Sequence, residues 1–193
     1  MQDLKQKAIH RQWLPMNFEY YAAPSIELKK KKCPKESVPQ RDTKTEKTIK
    51  ALLEAGDEDT LKKYFNGFLQ FGTAGLRGPI GPGPSCMNRA VVGRAAAGIA
   101  AYMKKRGMTK VVVGRDARYG SEDYTFETAE IMSGAGMDVY ILPRPLPTPV
   151  LAFATSYLQC DVGIMVTASH NPPQDNGYKV YVGPKADGIN YAS

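Results

Sequence analysis

The sequence has no feature of a membrane-spanning or secreted protein. No apolar run approaches the roughly 20 residues that cross a bilayer, and the N-terminus lacks the apolar core of a signal peptide. Only two histidines and three cysteines occur, and the cysteines (Cys33, Cys86 and Cys160) are an odd number without metal-type spacing. This scarcity argues against a disulfide framework and a structural metal cluster, and it predicts a reducing, cytoplasmic setting with unpaired thiols.

Most of the chain also lacks an excess of charge of either sign. Residues 1–50 contain twelve Lys or Arg and six Asp or Glu, so nearly all of the net charge of +7 lies there. Scattered prolines and the basic run Lys29–Lys32 predict a solvated, disordered leader over residues 1–43. No basic stripe with interleaved aromatics follows it, so we expect no specific nucleic-acid partner. Association of the leader with an anionic membrane or nucleic acid stays open as an alternative.

Residues 44–193 alternate helix and strand signals within the composition of a soluble domain. Apolar residues make up 42% and charged residues 23% of the chain, close to the averages for globular proteins. Capping residues, among them Asp57 and Ser121, and apolar side chains at helical spacing predict helices, and short apolar runs predict strands. The predicted helices cover 43–55, 57–68, 88–106, 122–133 and 150–158, and the predicted strands 110–114, 137–142, 161–166 and 178–182. This order predicts an α/β layered domain with a mostly parallel (mixed) sheet flanked by helices.

The segment from Thr167 to Lys179 carries the most chemically reactive side chains of the chain. It follows an apolar strand signal and supplies a hydroxyl together with three groups that donate hydrogen bonds: Ser169, His170, Asn171 and Lys179. A serine that carried a phosphate would need such a cationic surround, because the phosphate holds roughly −2 charge and three acceptor oxygens. The segment therefore fits an anion.

Three other interpretations of this segment follow from its residues. A serine hydrolase is disfavoured, because adjacent side chains such as Ser169 and His170 usually diverge and the only other histidine is His10. A metal site made of His170 and Asp175 alone has too few ligands. A serine that merely caps a turn stays open, and Asn176-Gly177 is itself a turn signal before the following strand.

Two further segments place cations beside turns or strand ends. Phe71–Gly78 surrounds Arg77 with three glycines, which permit a tightly folded backbone, and an ordinary hairpin with a surface arginine is the alternative. Arg115, Asp116 and Arg118 follow a strand signal. Because the chemistry of α/β sheets gathers beyond the carboxyl ends of the strands, we expect these three residues to form a supporting loop near Ser169.

Together these segments resemble the α-D-phosphohexomutase superfamily, which includes phosphoglucomutases and phosphomannomutases. Thr167–Pro172 followed by Asn176–Lys179 is similar to that family's phosphoserine loop. Phe71–Gly78 is similar to its N-terminal signature, and Gly114–Arg118 is similar to the segment after its second strand. The resemblance covers residues 47–183 and implies the first of the family's domains, domain 1.

The resemblance implies a role for each candidate residue. Ser169 would carry the phosphoryl group and, through its phosphate, would be one ligand of Mg²⁺. His170 and Lys179 would contact the substrate or assist proton transfer, Asn171 would bind beside them, and Arg77 would pair with phosphate. Such an enzyme interconverts a hexose 1-phosphate and 6-phosphate, or a pentose 1-phosphate and 5-phosphate. It uses a bisphosphate intermediate, and glucose 1,6-bisphosphate or a related bisphosphate would be its activator.

Enzymes of that superfamily have four domains, and the sequence departs from them after the first. It contains no Asp-x-Asp-x-Asp run for the metal and no Gly-Glu-Glu-Ser-Gly-type loop for the sugar. We therefore expect an N-terminal fragment that holds a slightly shortened domain 1 and is inactive without domains 2–4 of the same enzyme. A noncatalytic phosphosugar-binding or regulatory module is the alternative.

Overall fold

A computed structural model of the chain describes residues 43–183. The leader predicted over 1–43 lies outside this range except for its last residue, as does the segment from residue 184 onward. The chain folds in the order α1-α2-β1-α3-β2-α4-β3-α5-β4-β5. The helices are α1 (Thr43–Ala55), α2 (Glu58–Phe65), α3 (Arg89–Lys105), α4 (Ser121–Gly134) and α5 (Thr148–Tyr157), and the strands are β1 (Leu76–Pro79), β2 (Lys110–Arg115), β3 (Asp138–Ile141), β4 (Val162–Val166) and β5 (Asp175–Val182). Within residues 43–183, no helix is long and apolar enough to span a membrane.

The five strands form one mixed sheet in the order β1-β5-β4-β2-β3. β2 is parallel to both β3 and β4, as the alternation of helix and strand signals predicts. β5 is antiparallel to β4 because the chain returns from β4 to β5 without a crossover helix. β5 is also antiparallel to β1 at the edge of the sheet. The predicted α/β fold with a mixed sheet flanked by helices is confirmed.

Helices cover the two faces of the sheet to different extents. On one face α3 and α4 contribute Val92, Met103 and Met132 to a core that also contains Val111 and Ile164. On the other face α5 covers β2 and β4 around a smaller core, which includes Val112, Leu151 and Met165. α5 packs chiefly against β2 and β4 and hardly against β1 or β5. The β1 and β5 part of the second face thus stays accessible to polar chemistry.

One of the two named helix caps is confirmed and the other is wrong. Asp57 caps α2, since its Oδ1 accepts a hydrogen bond from the N–H of Thr60 at 3.0 Å. Ser121 does not cap α4 but is its first residue, and the preceding Gly120 occupies the cap position in a left-handed conformation with a φ of 74°. The Ser121 hydroxyl instead donates to Asp116 Oδ1 at 2.8 Å. The hydroxyl is thus used as a donor to a carboxylate, whereas a capping serine would accept a hydrogen bond from an N–H of the first helical turn.

The turn predicted at Asn176-Gly177 is wrong, because β5 already begins at Asp175. Gly177 is buried in the strand opposite Arg77 of β1. A Cβ atom at Gly177 would lie 2.6 Å from both the Leu76 and the Thr167 carbonyl oxygens. The glycine therefore permits three backbone segments to approach closely, a requirement that the local sequence does not reveal.

Arg77 lies in an edge strand rather than in a loop or an ordinary hairpin. A turn closed by reciprocal hydrogen bonds of 3.1 Å between Gly72 and Gly75 precedes it. β1 then pairs with β5, a strand far away in the sequence, in the register Leu76–Tyr178 and Arg77–Gly177. This pairing brings Arg77 to the part of the sheet that follows the Ser169 segment.

Candidate active site

Residues 167–174 connect β4 to β5 and are called the serine loop below. Ser169 is exposed and has a φ of 59°, a left-handed conformation that is uncommon for residues other than glycine. Its N–H donates to Thr167 Oγ1 at 3.0 Å, and the N–H of the buried Thr167 donates to the Gly177 carbonyl at 3.0 Å. The backbone of Ser169 is therefore anchored while its side chain faces solvent.

The serine loop is also closed by its own polar groups. Asn171 Nδ2 donates to Asp175 Oδ2 at 2.9 Å, and the N–H of Asp175 donates to the Pro172 carbonyl at 3.0 Å. The N–H of Asn171 donates to the Ala168 carbonyl at 3.1 Å. The amide of Asn171 thus orders the loop, and one of its two donor hydrogens is left for a ligand.

Arg118 joins the segment after β2 to the serine loop. Its guanidinium donates to the carbonyl oxygens of Ser169, Asn171, Pro172 and Asp175 at distances between 2.7 and 3.1 Å. The sheet topology explains the contact, because β2 and β4 are parallel neighbours whose carboxyl ends meet at one edge. The expected proximity of this segment to Ser169 is therefore found.

Asp116 and Arg115 have different partners. The carboxylate of Asp116 accepts hydrogen bonds from the N–H and Nε of Arg118 at 3.0 and 3.1 Å. Arg115 instead donates through Nη2 to Glu122 at the start of α4, at 2.7 Å. Only Asp116 and Arg118 of the three predicted supporting residues are thus hydrogen-bonded in the network that reaches the serine loop.

Arg77 and Lys179 bring positive charge to the face of the sheet that α5 leaves uncovered. Arg77 lies opposite Gly177, two residues from Lys179, so the two side chains project from the same face. Burial, and secondarily the charge of Arg77, lower the pKa of the Lys179 ammonium. Among residues 43–183, the buried Nε of Arg77 has no hydrogen-bond partner. This pair of cations is therefore suited to an anion that satisfies both.

His170 is exposed next to Ser169. Within the described part of the chain, no carboxylate makes a hydrogen bond to its ring of the kind that orients the histidine of a Ser-His-Asp triad. The carboxylates closest in sequence and in the network are already engaged, Asp175 by Asn171 and Asp116 by Arg118. The arrangement disfavours a triad and leaves the imidazole open to a ligand.

An open cavity of about 480 Å³ lies beside the serine loop and is lined by Ser169, Pro173, Arg118 and Tyr119, with Asp116 and Ala117. Such a volume accommodates a small polar ligand. Across residues 43–183, no group of three or more His, Cys, Asp or Glu side chains could hold a metal ion. The described side chains therefore do not form a metal site by themselves.

Sequence reasoning missed two buried polar residues behind the serine loop. Asn176 is completely buried, and its Nδ2 donates to the Tyr119 carbonyl at 2.7 Å and to Ser121 Oγ at 3.0 Å. Ser121 links this amide to Asp116. Asn176 stands next to Gly177 in the sequence, and that dipeptide favours a turn. Ser121 stands just before a helical pattern, where a serine favours a helix cap.

A family model described as phosphoglucomutase/phosphomannomutase, alpha/beta/alpha domain I, matches residues 69–191. The chain belongs to this family. A Haemophilus influenzae protein named "Probable phosphomannomutase" is 56% identical over 105 residues, which are 53% of this chain and 21% of that protein. The phosphoribomutase of Saccharomyces cerevisiae is 40% identical over 146 residues, which are 73% of this chain and 24% of the yeast protein.

A solved structure shows the same family relationship in three dimensions. A phosphoglucomutase/phosphomannomutase family protein of Burkholderia thailandensis superimposes with a TM-score of 0.51 and 32% sequence identity. The match covers 57% of this chain and 25% of the Burkholderia protein. The resemblance inferred from the three motifs is confirmed at the level of the family and its first domain. The chain spans about a quarter of the length of the relatives it matches.

Proposed function

We propose that this chain supplies the phosphoserine-bearing domain of a phosphosugar mutase. The enzyme interconverts a hexose 1-phosphate and 6-phosphate, or a pentose 1-phosphate and 5-phosphate, through phosphorylated Ser169 and a bisphosphate intermediate. Membership of the phosphoglucomutase/phosphomannomutase family supports this proposal. So do the names of the relatives, among them phosphomannomutase, phosphoribomutase and phosphopentomutase.

One observation carries the proposal more than any other. Ser169 presents an exposed hydroxyl from an anchored, left-handed backbone position. Arg77 and Lys179 project from one face of the paired strands β1 and β5, and β5 is the strand into which the serine loop leads. A phosphate on Ser169 would receive charge neutralisation from such cations, and phosphoryl transfer depends mainly on positioning and charge stabilisation.

The proposed reaction transfers a phosphoryl group in each direction. A sugar hydroxyl attacks the phosphorus of phosphoserine, the bond between Ser169 Oγ and phosphorus breaks, and a sugar O–P bond forms. The sugar hydroxyl loses a proton while Ser169 Oγ gains one. Lys179 suits the donor role, because its lowered pKa makes the ammonium a better acid than an ordinary lysine. The bisphosphate then returns its other phosphoryl group to Ser169 by the reverse chemistry.

His170 and Asn171 complete the proposed contacts with the substrate. The imidazole of His170 is exposed beside the hydroxyl of Ser169, where it can bind a phosphate oxygen or carry a proton. Asn171 offers its remaining amide hydrogen at the same loop. Asp116, Arg118 and Arg115 are proposed to support the site from the adjoining segment.

The family implies Mg²⁺, and the phosphate of phosphorylated Ser169 would be one of its ligands. When bound, the ion would neutralise charge on the transferring group. Because the described residues hold no cluster of carboxylates or imidazoles suited to a metal, this chain is proposed to contribute that one ligand only. Domains 2–4 of the same enzyme would supply the rest of the metal site, and this chain alone is proposed to be inactive. The whole enzyme is proposed to be cytoplasmic and to be activated by glucose 1,6-bisphosphate.

The proposal is tested by the mutase activity of the protein encoded by the longest reading frame that contains this chain. Glucose 1-phosphate, mannose 1-phosphate and ribose 1-phosphate are each followed by ³¹P NMR with Mg²⁺ and the matching bisphosphate. We expect conversion of at least one substrate, and a loss of at least about a thousandfold in Ser169→Ala. Ser156→Ala is the matched control, since Ser156 is an exposed serine on α5 outside the site. Tight binding of these substrates without conversion would instead favour a noncatalytic phosphosugar-binding module.

A further inference from the structure

All five N–H donors of the Arg118 guanidinium have acceptors. Nε donates to Asp116 Oδ2 at 3.1 Å. Nη1 donates to the Pro172 and Asp175 carbonyls at 2.7 and 3.1 Å. Nη2 donates to the Ser169 and Asn171 carbonyls at 2.9 and 2.8 Å. A single side chain that is 15% exposed thus holds four carbonyls across the serine loop and the first residue of β5.

Behind Arg118, a network of polar groups fixes the guanidinium in turn. Asp116 accepts from Ser121 Oγ at 2.8 Å, and its own N–H donates to the Val166 carbonyl of β4 at 3.1 Å. Ser121 Oγ also accepts from Asn176 Nδ2 at 3.0 Å. The network therefore ties the end of β2, the start of α4 and the start of β5 together, so the position of Arg118 is set by three elements of the fold.

The contacts of Arg118 bear directly on the conformation of Ser169. A left-handed non-glycine residue persists only where its surroundings hold it there. Nη2 donates a hydrogen bond to the carbonyl oxygen of Ser169, the residue that has the left-handed φ. The four carbonyl oxygens point toward the Arg118 guanidinium. Their partial negative charges would repel a phosphate on Ser169 if they pointed toward it instead.

We propose that Arg118 is the positioning residue of this site: it holds Ser169 in its left-handed conformation and keeps the loop carbonyls away from the transferred phosphoryl group. This inference rests on the proposed function of Ser169. Lysine is a poor substitute, because an ammonium has three donors on a flexible stem and cannot reproduce the planar five-donor geometry of a guanidinium. Arg118 acts through the loop backbone, whereas Arg77 and Lys179 act on the anion.

The first part of the test measures the loop itself in the 193-residue chain. Hydrogen–deuterium exchange is followed by peptide mass spectrometry in the wild type, Arg118→Lys and Arg118→Ala. Arg89→Lys is the matched control, since its guanidinium also bonds to a carboxylate, that of Glu127, but lies away from the serine loop. Relative to the wild type, we expect exchange in the peptide covering residues 167–175 to accelerate about 10- to 100-fold in both Arg118 variants. The Arg89→Lys control should exchange at the wild-type rate. The lysine variant stays informative where the alanine variant does not fold.

The second part measures catalysis in the full-length reading frame. We expect Arg118→Lys to lower kcat about 100-fold with little change in KM, because the loop is misplaced while the substrate-binding cations remain. Guanidinium chloride at a non-denaturing concentration should restore activity to Arg118→Ala, whereas sodium chloride at equal ionic strength should not.

Two results would overturn the proposal. One is unchanged exchange in residues 167–175 of a folded Arg118 variant, and the other is an equal acceleration in every peptide, which would make Arg118 a general stabilising residue. An inactive wild-type reading frame without phosphate on Ser169 would refute the proposed function instead, and the exchange result would still decide whether Arg118 positions the loop.

Discussion

Replacing Gly177 by alanine tests whether the site depends on the close approach of three backbone segments. The added Cβ would lie 2.6 Å from the carbonyl oxygens of Leu76 and Thr167 and 3.0 Å from Cγ of Arg77. Two of these three neighbours are backbone atoms, so the variant folds only if β1 or the start of the serine loop shifts. Overpacking of this kind costs about 1–3 kcal/mol of unfolding free energy.

Urea denaturation followed by far-UV circular dichroism measures this cost, and thermal unfolding should show a decrease in Tm of about 3–9 °C. Gly98→Ala is the matched control, because a Cβ at that position in α3 would meet no atom within 4 Å apart from the backbone of its own helix. The control should gain about 0.5–1 kcal/mol, since alanine favours the helix over glycine. A Gly177→Ala variant within about 0.5 kcal/mol of the wild type would refute the packing described between β1, β5 and the serine loop.

Three other predictions concern single side chains. Inorganic phosphate should bind more weakly as the pH rises through the lowered pKa of Lys179, because the neutral amine no longer attracts the anion. A titration calorimetry profile in which the affinity stays constant up to the pH where an ordinary lysine titrates would contradict this. Cys86 and Cys160 should resist alkylation in the folded chain, because both thiols are buried and burial raises their pKa, that of Cys160 to about 12. Peptide mass spectrometry maps the alkylated residues, and rapid labelling of either cysteine would show that the core is open. Tyr178→Phe removes a buried 2.8 Å hydrogen bond to Thr128 Oγ1 and should lower the unfolding free energy by about 1 kcal/mol. Urea denaturation measures this difference, and an unchanged unfolding free energy would mean that the hydrogen bond is not formed.

Local signals in the sequence predicted much of the fold because they coincide with tertiary structure. The apolar run Val111–Val113 is buried in β2 as predicted, and Asp57 caps α2. The order of elements also predicted the parallel part of the sheet, because strands separated by helices pair in parallel. The Ser169 segment was recognisable because its hydroxyl, imidazole, amide and ammonium are close together in the sequence.

Features that depend on distant partners could not be predicted in the same way. Asn176-Gly177 favours a turn when only neighbouring residues are considered, but the buried amide bonds to Tyr119 and Ser121, and this holds the pair in β5. Arg118 bonds to carbonyls between 51 and 57 residues later in the chain. Backbone carbonyls carry no residue-specific signal, so the contact appears only once β2 and β4 are placed side by side.

The presence of phosphate on Ser169 tests the central claim most directly. The protein encoded by the longest reading frame that contains this chain is incubated with glucose 1,6-bisphosphate and Mg²⁺. It is then digested and analysed by phosphopeptide mass spectrometry beside its Ser169→Ala variant. We predict one phosphorylated site, at Ser169, whose phosphoryl group passes to the sugar when excess glucose 1-phosphate or glucose 6-phosphate is added, so that an isotope label in it is exchanged out. Phosphate on another residue, or an unmodified Ser169 in a protein that converts these substrates, would contradict the account.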